Sequence, residues 1–433
     1  MQISGWGKYP VIETSVCRPQ THQQVRDCLG NGFSGIARGM GRSYGDSSLA
    51  TQVVDTLSLN HILGFDSETG IVTCQAGVTL ADLLSVFVPK GWFLPVTPGT
   101  KFVSVGGAIA SDVHGKNHHI DGSFTDHVVE LIIMLADDSV VSCSPSQNSD
   151  LFHATCGGMG LTGVILQASF RLKSINSSYI DEITYKAPNL DTVLELFKHY
   201  ADATYSVAWI DCSSRGRHMG RSLLMLGEHA QDALECRITG KSKLTLPFDL
   251  PDPTLNKYTI RAFNSIYYHR ILRSKRQRRI HYEPYFYPLD SINHWNRLYG
   301  KKGFTQYQFV LPAEAGREGL HSILKRIVDS QRGSFLSVLK AFGPENENYI
   351  SFPKAGYTLA LDFKLDSGIF TFLNELDRIV LDYGGRLYLT KDVRMDGTMF
   401  TDSYPKWQQF YEVRRKYGAL EKFNSLQSQR LGI

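Results

Sequence analysis

Ala37-Arg38-Gly39-Met40-Gly41-Arg42-Ser43-Tyr44-Gly45-Asp46 is the stretch on which the fold of this chain turns. The run Phe33 to Ala37 reads as a short strand entering it. Its glycines let the backbone take positive φ and let a ligand come close to the amides. Successive N–H groups in such a turn form a concavity for anions. Two more glycine-rich segments follow. The first is Pro98-Gly99-Thr100 with Val105-Gly106-Gly107-Ala108 and His114-Gly115-Lys116-Asn117-His118-His119; the second is Gly157-Gly158-Met159-Gly160-Leu161-Thr162-Gly163. One such loop is a weak signal. Three within the first 165 residues imply a large ligand with a diphosphate, held along its length.

The chain has 433 residues, enough for two to three domains that each bury a core. Apolar residues make up 42% and charged residues 20%, as in ordinary globular proteins, and the net charge is only +4. That balance argues against wholesale coating of nucleic acid. Seven cysteines (Cys17, Cys28, Cys74, Cys143, Cys156, Cys212 and Cys236) are scattered and lack a C-x-x-C pair. Neither a disulfide framework nor a zinc site is indicated, and reduced thiols are expected. The N-terminus lacks the charged and apolar regions of a signal peptide. Val128 to Leu135 is interrupted by Glu130 and is too short to span a bilayer. The expected location is cytoplasmic, with peripheral contact at the inner face of a membrane.

Working outward, Leu80, Leu83, Leu84 and Phe87 recur at helical spacing over 79–89, ending near Gly91. Asp137-Asp138 reads as a hairpin turn, and Val164 to Leu172 as a strand leaving the third glycine loop. Beyond a polar edge at 174–178 the pattern changes. Helical stripes appear at Leu190, Val193, Leu194 and Phe197, at Leu320, Ile323, Leu324 and Ile327, and at Leu373, Leu376 and Val380. Strand-like runs lie between them at 205–210, 306–311, 335–340 and 357–363. The predicted class is α+β, with helices on one face of a largely antiparallel sheet. Residues 240–281 read as the least regular part. They hold an aromatic cluster (Phe263, Tyr267, Tyr268) and a basic run (Arg270, Arg273, Lys275, Arg276, Arg278, Arg279). That run reads either as a solvated loop or as a patch seeking phosphate or anionic lipid.

The first two glycine segments, with Asp112-Val113-His114-Gly115-Lys116-Asn117-His118-His119 and Gly122-Ser123-Phe124, resemble the FAD-binding domain of vanillyl-alcohol-oxidase-type flavoenzymes. A longer set is similar to the decaprenylphosphoryl-β-D-ribose 2-oxidase family. It comprises Tyr287-Pro288-Leu289-Asp290, Trp295-Asn296-Arg297, Gln306-Tyr307-Gln308-Phe309, Lys340 with Phe342-Gly343, Gly384-Gly385-Arg386-Leu387-Tyr388, Lys391-Asp392 and Val413-Arg414-Arg415-Lys416. The resemblance implies an FAD-binding domain over 1–174, a substrate domain over 175–380, and a segment 381–433 returning to the first domain. It also implies oxidation of the 2-hydroxyl of a ribofuranose on a polyprenyl phosphate. The 2-keto product would be reduced by a partner NAD(P)H-dependent short-chain reductase, inverting the sugar. Competing readings are an oxidase of a free sugar, alditol or aldonolactone, and a flavin-holding scaffold without catalysis.

For FAD contact the resemblance implies Arg38, Gly39, Met40, Gly41, Arg42, Ser43, Tyr44, Pro98, Gly99, Thr100, Gly106, Gly107, Ala108, Ser111, His114, Gly115, Asn117, His118, Gly160, Gly163, Val164, Ile165 and Tyr388. Related oxidases often carry a flavin-bonding His where Arg42 stands; Arg cannot form that bond, so dissociable FAD is expected. Lys391, Tyr388 and His114 are the implied catalytic residues. A cation at Lys391 would orient the sugar hydroxyl and stabilise its alkoxide, or act as base if burial lowers its pKa. Substrate contacts are implied for Lys116, Gln306, Gln308, Lys340, Thr358, Ala360 and Trp209. Gln306 and Gln308 share one strand face by their spacing. Mycobacterial members carry Cys where Ala360 stands and Asn where Thr358 stands, so inhibitors that bond that cysteine should not bond here. His114, His118 and His119 cluster, but no carboxylate or thiol sits at ligand spacing, so no metal is expected.

Overall fold

Strand alternation builds the larger half of the molecule. The computed structural model describes residues 1–30, 32–232, 236 and 244–433. An eight-stranded antiparallel sheet runs in the order Lys275–His281, Tyr179–Ala187, Ser222–His229, Tyr205–Ile210, Ser337–Phe342, Gly356–Lys364, Phe304–Pro312 and Arg386–Leu387. Successive side chains of a strand point to opposite faces. Tyr307, Phe309, Leu359 and Leu361 therefore join one core with the helices Leu190–His199, Ala313–Ser330 and Ile369–Asp382. The stripes Leu190/Val193/Leu194/Phe197 and Leu320/Ile323/Leu324/Ile327 are the buried faces of the first two. Burying each such side chain contributes roughly 1.5–3 kcal/mol. Asn189 caps the first helix by accepting from the Thr192 amide at 2.9 Å.

Besides two-stranded pairs, the amino-terminal half carries a three-stranded and a five-stranded sheet. A parallel one orders Ser15–Cys17, Gln52–Asp55 and Ile36–Arg38, so the last strand delivers the chain into Gly39-Met40-Gly41. An antiparallel one orders Val140–Cys143, Val128–Met134, Val164–Arg171, Ile71–Gln75 and Ile62–Asp66, with the turn at Asp137-Asp138 between its first two strands. The helix Leu80–Phe87 starts in a capping box between Thr79 and Asp82. The chain then returns. Arg414, fully buried on the helix Trp407–Lys416, donates to the carbonyls of Leu161 (3.0 Å) and Phe423 (2.6 Å). That anchors the last turns to the third glycine loop. Ala419 and Phe423 share a core with Val54, Met134 and Val164.

Two expectations are corrected. The stretch 240–281 is not irregular throughout: Lys257–His269 is a helix and Lys275–His281 an edge strand, while residues 240–243 lie outside the described residues. Asn256 starts that helix by accepting from the Tyr258 and Thr259 amides, a cap the three prolines upstream obscured. The thiols are not all reduced: Cys17, ending the strand Ser15–Cys17, and Cys28, ending the helix His22–Cys28, form a disulfide. Spacing alone does not pair cysteines eleven apart, and disulfides persist in oxidising compartments, so cysteine usage no longer supports a cytoplasmic location. Among the described residues no helix is long and apolar enough to cross a membrane.

Candidate active site

One cavity of about 610 Å³ runs from the glycine loops to the polar face of the large sheet. At one end the strand Ile36–Arg38 opens into the turn of Gly39-Met40-Gly41. Gly41 has φ +61°, and a Cβ on Gly39 would lie 2.0 Å from Ser104 Oγ, so both positions require glycine. The amides of Met40, Gly41, Arg42 and Ser43 have no acceptor among the described residues and border the cavity. Four successive free N–H groups suit a diphosphate. Gly99, Gly106, Gly107, Ser111, Gly160 and Gly163 continue the wall. These donors and this length fit FAD.

Arg42 also borders the cavity, its guanidinium 4.0 Å over the Trp6 ring and its Nε without a partner. Arg38 turns most of its guanidinium inward to the carbonyls of Ser4 (2.7 Å) and Ser48 (3.3 Å). Ser43, Tyr44, Pro98, Thr100, Gly115 and Ile165 line the space as expected. Four expected contacts do not reach it. Ala108 and Val164 are core residues. Asn117 donates to Pro95 O and Asp121, both at 2.7 Å, and holds its own turn. His118 packs 4.4 Å from the Phe342 ring and accepts from the Gly343 amide. His119 meets the Ala203 carbonyl at 2.8 Å. Among the described residues no group of three metal-ligating side chains occurs.

The part of the cavity along the large sheet gathers cations without carboxylate ion-pair partners among the described residues. Lys391 follows Tyr388 at the end of the sheet's last strand, and its Nζ lies 4.0 Å from the centre of the Tyr44 ring. Desolvation pushes its pKa down to about 7, with Lys340 lowering it further and Asp362 opposing. Lys340, on Ser337–Phe342, is pushed down to about 8 by desolvation. Lys116 lies 3.9 Å over the Tyr285 ring, donates to the Tyr285 carbonyl, and is pushed down to about 7, again mainly by desolvation. None of the three forms an ion pair among the described residues.

His114 is buried and stays neutral. Desolvation, with Lys340, His118 and Lys391 nearby, holds it well below its ordinary range. Gln308 donates from Nε2 to His114 Nε2 at 3.0 Å and to Thr358 Oγ1 at 3.2 Å, and Thr358 donates on to the Phe309 carbonyl. The His114 proton therefore sits on Nδ1, which has no partner. Thr358 does not line the cavity; it stands behind Gln308 and fixes that amide, which corrects its expected role as a contact. Tyr388 walls the space, stacked on Phe352 at 4.6 Å, with its hydroxyl donating to Ser111 O at 2.8 Å. Burial raises its pKa and so favours the protonated hydroxyl. Gln306, Gln308, Ala360 and Trp209 border the cavity.

One neighbour escaped the sequence reading. Asp362 lies opposite Gln306 across the strand pair, accepting from its Nε2 at 2.6 Å and from the Tyr299 hydroxyl at 3.1 Å. Burial raises its pKa to about 7. The signal was available: Asp362 is two residues beyond Ala360, hence on the same face.

Known proteins are similar to this chain in sequence. Residues 14–144 match the FAD binding domain family. A decaprenylphosphoryl-beta-D-ribose oxidase of Mycolicibacterium smegmatis is 37% identical over 452 aligned positions, covering 100% of this chain and 97% of that protein. An uncharacterized protein of Streptomyces coelicolor is 30% identical, covering 82% of this chain and all of that one. L-gulonolactone oxidase of Mus musculus is 28% identical over 46% of this chain. The cavity, its free amides and a match along the whole sequence lead to one conclusion: the chain belongs to the decaprenylphosphoryl-β-D-ribose oxidase family of FAD-dependent oxidoreductases.

Proposed function

We propose that this chain oxidises the 2-hydroxyl of a ribofuranose carried on a polyprenyl phosphate. The observation that carries this reading is the trio Lys391, Lys340 and Lys116, which line one cavity with the amides of Gln306 and Gln308 and form no ion pair among the described residues. Bound FAD supplies the hydride acceptor. Its diphosphate would be held by the Met40 to Ser43 amides. No covalent link is expected, because Arg42 stands against Trp6 where a bonding histidine would be needed.

The chain's own residues handle the proton and the substrate. Lys391, neutral above about pH 7, accepts the hydroxyl proton at Nζ. Gln308, fixed by His114 and Thr358, and Gln306, fixed by Asp362, orient the sugar. Lys340 and Lys116 draw the phosphate, which relieves the cost of two desolvated ammonium groups. Beyond them Trp209, Phe263, Tyr267 and Phe335 form an apolar arm of the same cavity. A free pentose or aldonolactone has nothing to place there; a prenyl chain does. The keto product then passes to a partner NAD(P)H-dependent short-chain reductase.

Anaerobic titration of the yellow holoprotein tests the reading. Prenyl-phosphate ribose should bleach the flavin, and free ribose or gulonolactone should not. Bleaching by the free sugars alone would replace the proposed substrate. A flavin that no sugar bleaches would leave only a scaffold.

A further inference from the structure

The wall of the apolar arm has an outer side. The helix Lys257–His269 turns Asn264 and Tyr268 inward: Asn264 donates to Asp211 (3.0 Å) and Ser334 O (3.1 Å), and Tyr268 donates to Ala187 O. Phe263, Tyr267 and Arg270 line the cavity. On the opposite side Tyr258 and Ile266, two helical repeats of four apart, are 69% and 73% exposed, and Leu272 just past the helix end is 91% exposed. Of the aromatic cluster expected at an interface from sequence, Tyr268 is buried and Tyr267 half-buried, while Phe263 lines the cavity and stays partly exposed; Tyr258, Ile266 and Leu272 extend the apolar surface outward.

Charge along this segment of the chain is one-sided. From Pro253 to Tyr282 the sequence holds eight Lys or Arg and no Asp or Glu. Arg278 is satisfied by Glu182, and Arg279 by Asp181 and Asp232. Arg261, Arg270, Arg273, Lys275 and Arg276 form no ion pair among the described residues.

We propose that the outer face of this helix, with Leu272 and the cations around it, docks on an anionic lipid bilayer. Large apolar side chains ringed by Lys and Arg match the acyl boundary and headgroup layer of such a surface. Nucleic acid would use the cations and leave Ile266 and Leu272 in water. Docking deepens the lipid-linked reading, on which its purpose rests, because the same helix that meets the bilayer walls the apolar arm of the cavity.

Co-sedimentation of the holoprotein with vesicles decides it. Wild type should pellet with phosphatidylcholine–phosphatidylglycerol vesicles, stay in solution with phosphatidylcholine alone, and be released by salt. Ile266→Ser/Leu272→Ser and, separately, Arg273→Glu/Lys275→Glu should each weaken binding about tenfold or more. All four positions lie outside the cavity lining, so circular dichroism and flavin bleaching by a short-chain, detergent-free prenyl-phosphate ribose should match wild type. Wild type that stays in solution, or variants that pellet equally well, would overturn the proposal. So would tighter binding to a single-stranded oligonucleotide that ignores the Ile266 and Leu272 changes. Vesicle binding without bleaching would sink the substrate reading and leave the docking intact; bleaching without vesicle binding would do the reverse.

Discussion

The two faces of the eight-stranded sheet are made from the same strands and do opposite things. On Phe304–Pro312, Tyr307 and Phe309 enter the helix-covered core, while Gln306 and Gln308 face the cavity. On Gly356–Lys364, Leu359 and Leu361 go one way and Ala360 and Asp362 the other. The helix side holds the fold by apolar burial. The cavity side tolerates amides and desolvated lysines, which cost stability and which the proposed function puts to use in chemistry. Period two keeps the two jobs apart at single-residue resolution.

Lys391→Ala should break the cavity face and spare the other. The rate of flavin bleaching by substrate should fall about 10²–10⁴-fold, the range for losing a general base, while FAD absorbance is kept. Its melting temperature should hold or rise, since a desolvated cation is gone. Stopped-flow reduction with a thermal melt reads both; a fast variant would remove Lys391 from the proton step. Phe309→Ala makes the complementary change. It should cost about 3–5 kcal/mol in urea unfolding, with the flavin in the surviving folded protein still bleached. Equal loss of bleaching per folded molecule would show that the faces are not separable.

Lys340→Met sharpens the picture within the cavity face. Hydrogen bonds to charged groups are worth about 1.5–3 kcal/mol, so KM for a prenyl-phosphate sugar should rise roughly tenfold to a hundredfold with kcat little changed. Affinity for a neutral prenyl riboside should not move. If both substrates suffer alike, Lys340 supports the wall and does not read the phosphate.

Much of this was legible before any coordinates. The helical stripes at Leu190–Phe197 and Leu320–Ile327 and the alternation at 306–309 follow from periodicity, and the free amides at 40–43 from glycine placement. What stayed hidden was long-range. Asn117 and His118 sit in the same glycine-rich run as His114, yet hydrogen bonds to Pro95, Asp121 and Gly343 turn them away from the cavity. Thr358 and Gln308 are fifty residues apart, and only their register across the sheet shows that one fixes the other. The helix at 257–269 was masked by its neighbours' prolines and by an apolar pattern split between an inner and an outer face.

Asp362 offers the finest test, because it lies on the cavity face one layer behind the reacting groups. Lys391 faces Tyr44, Lys340 and Asp362; Asp362 faces Gln306, Tyr299, Tyr44 and Lys391. Bleaching should rise with pH through about 7 as the base form of Lys391 accumulates. Since Lys391 and Asp362 both titrate near there, the limb belongs to the pair. Asp362→Asn keeps an oxygen for the Gln306 amide, turns its NH2 to the Tyr299 hydroxyl, which can accept from it, and removes the negative charge that favours protonated Lys391. The limb should therefore move to lower pH by about one unit, as one unit is only about 1.4 kcal/mol of differential interaction. Rates well above pH 7 should stay near wild type, because the base form is already populated there. A merely structural role would lower the rate at every pH without moving the limb, and a limb shifted upward would mean that Asp362 itself takes the proton.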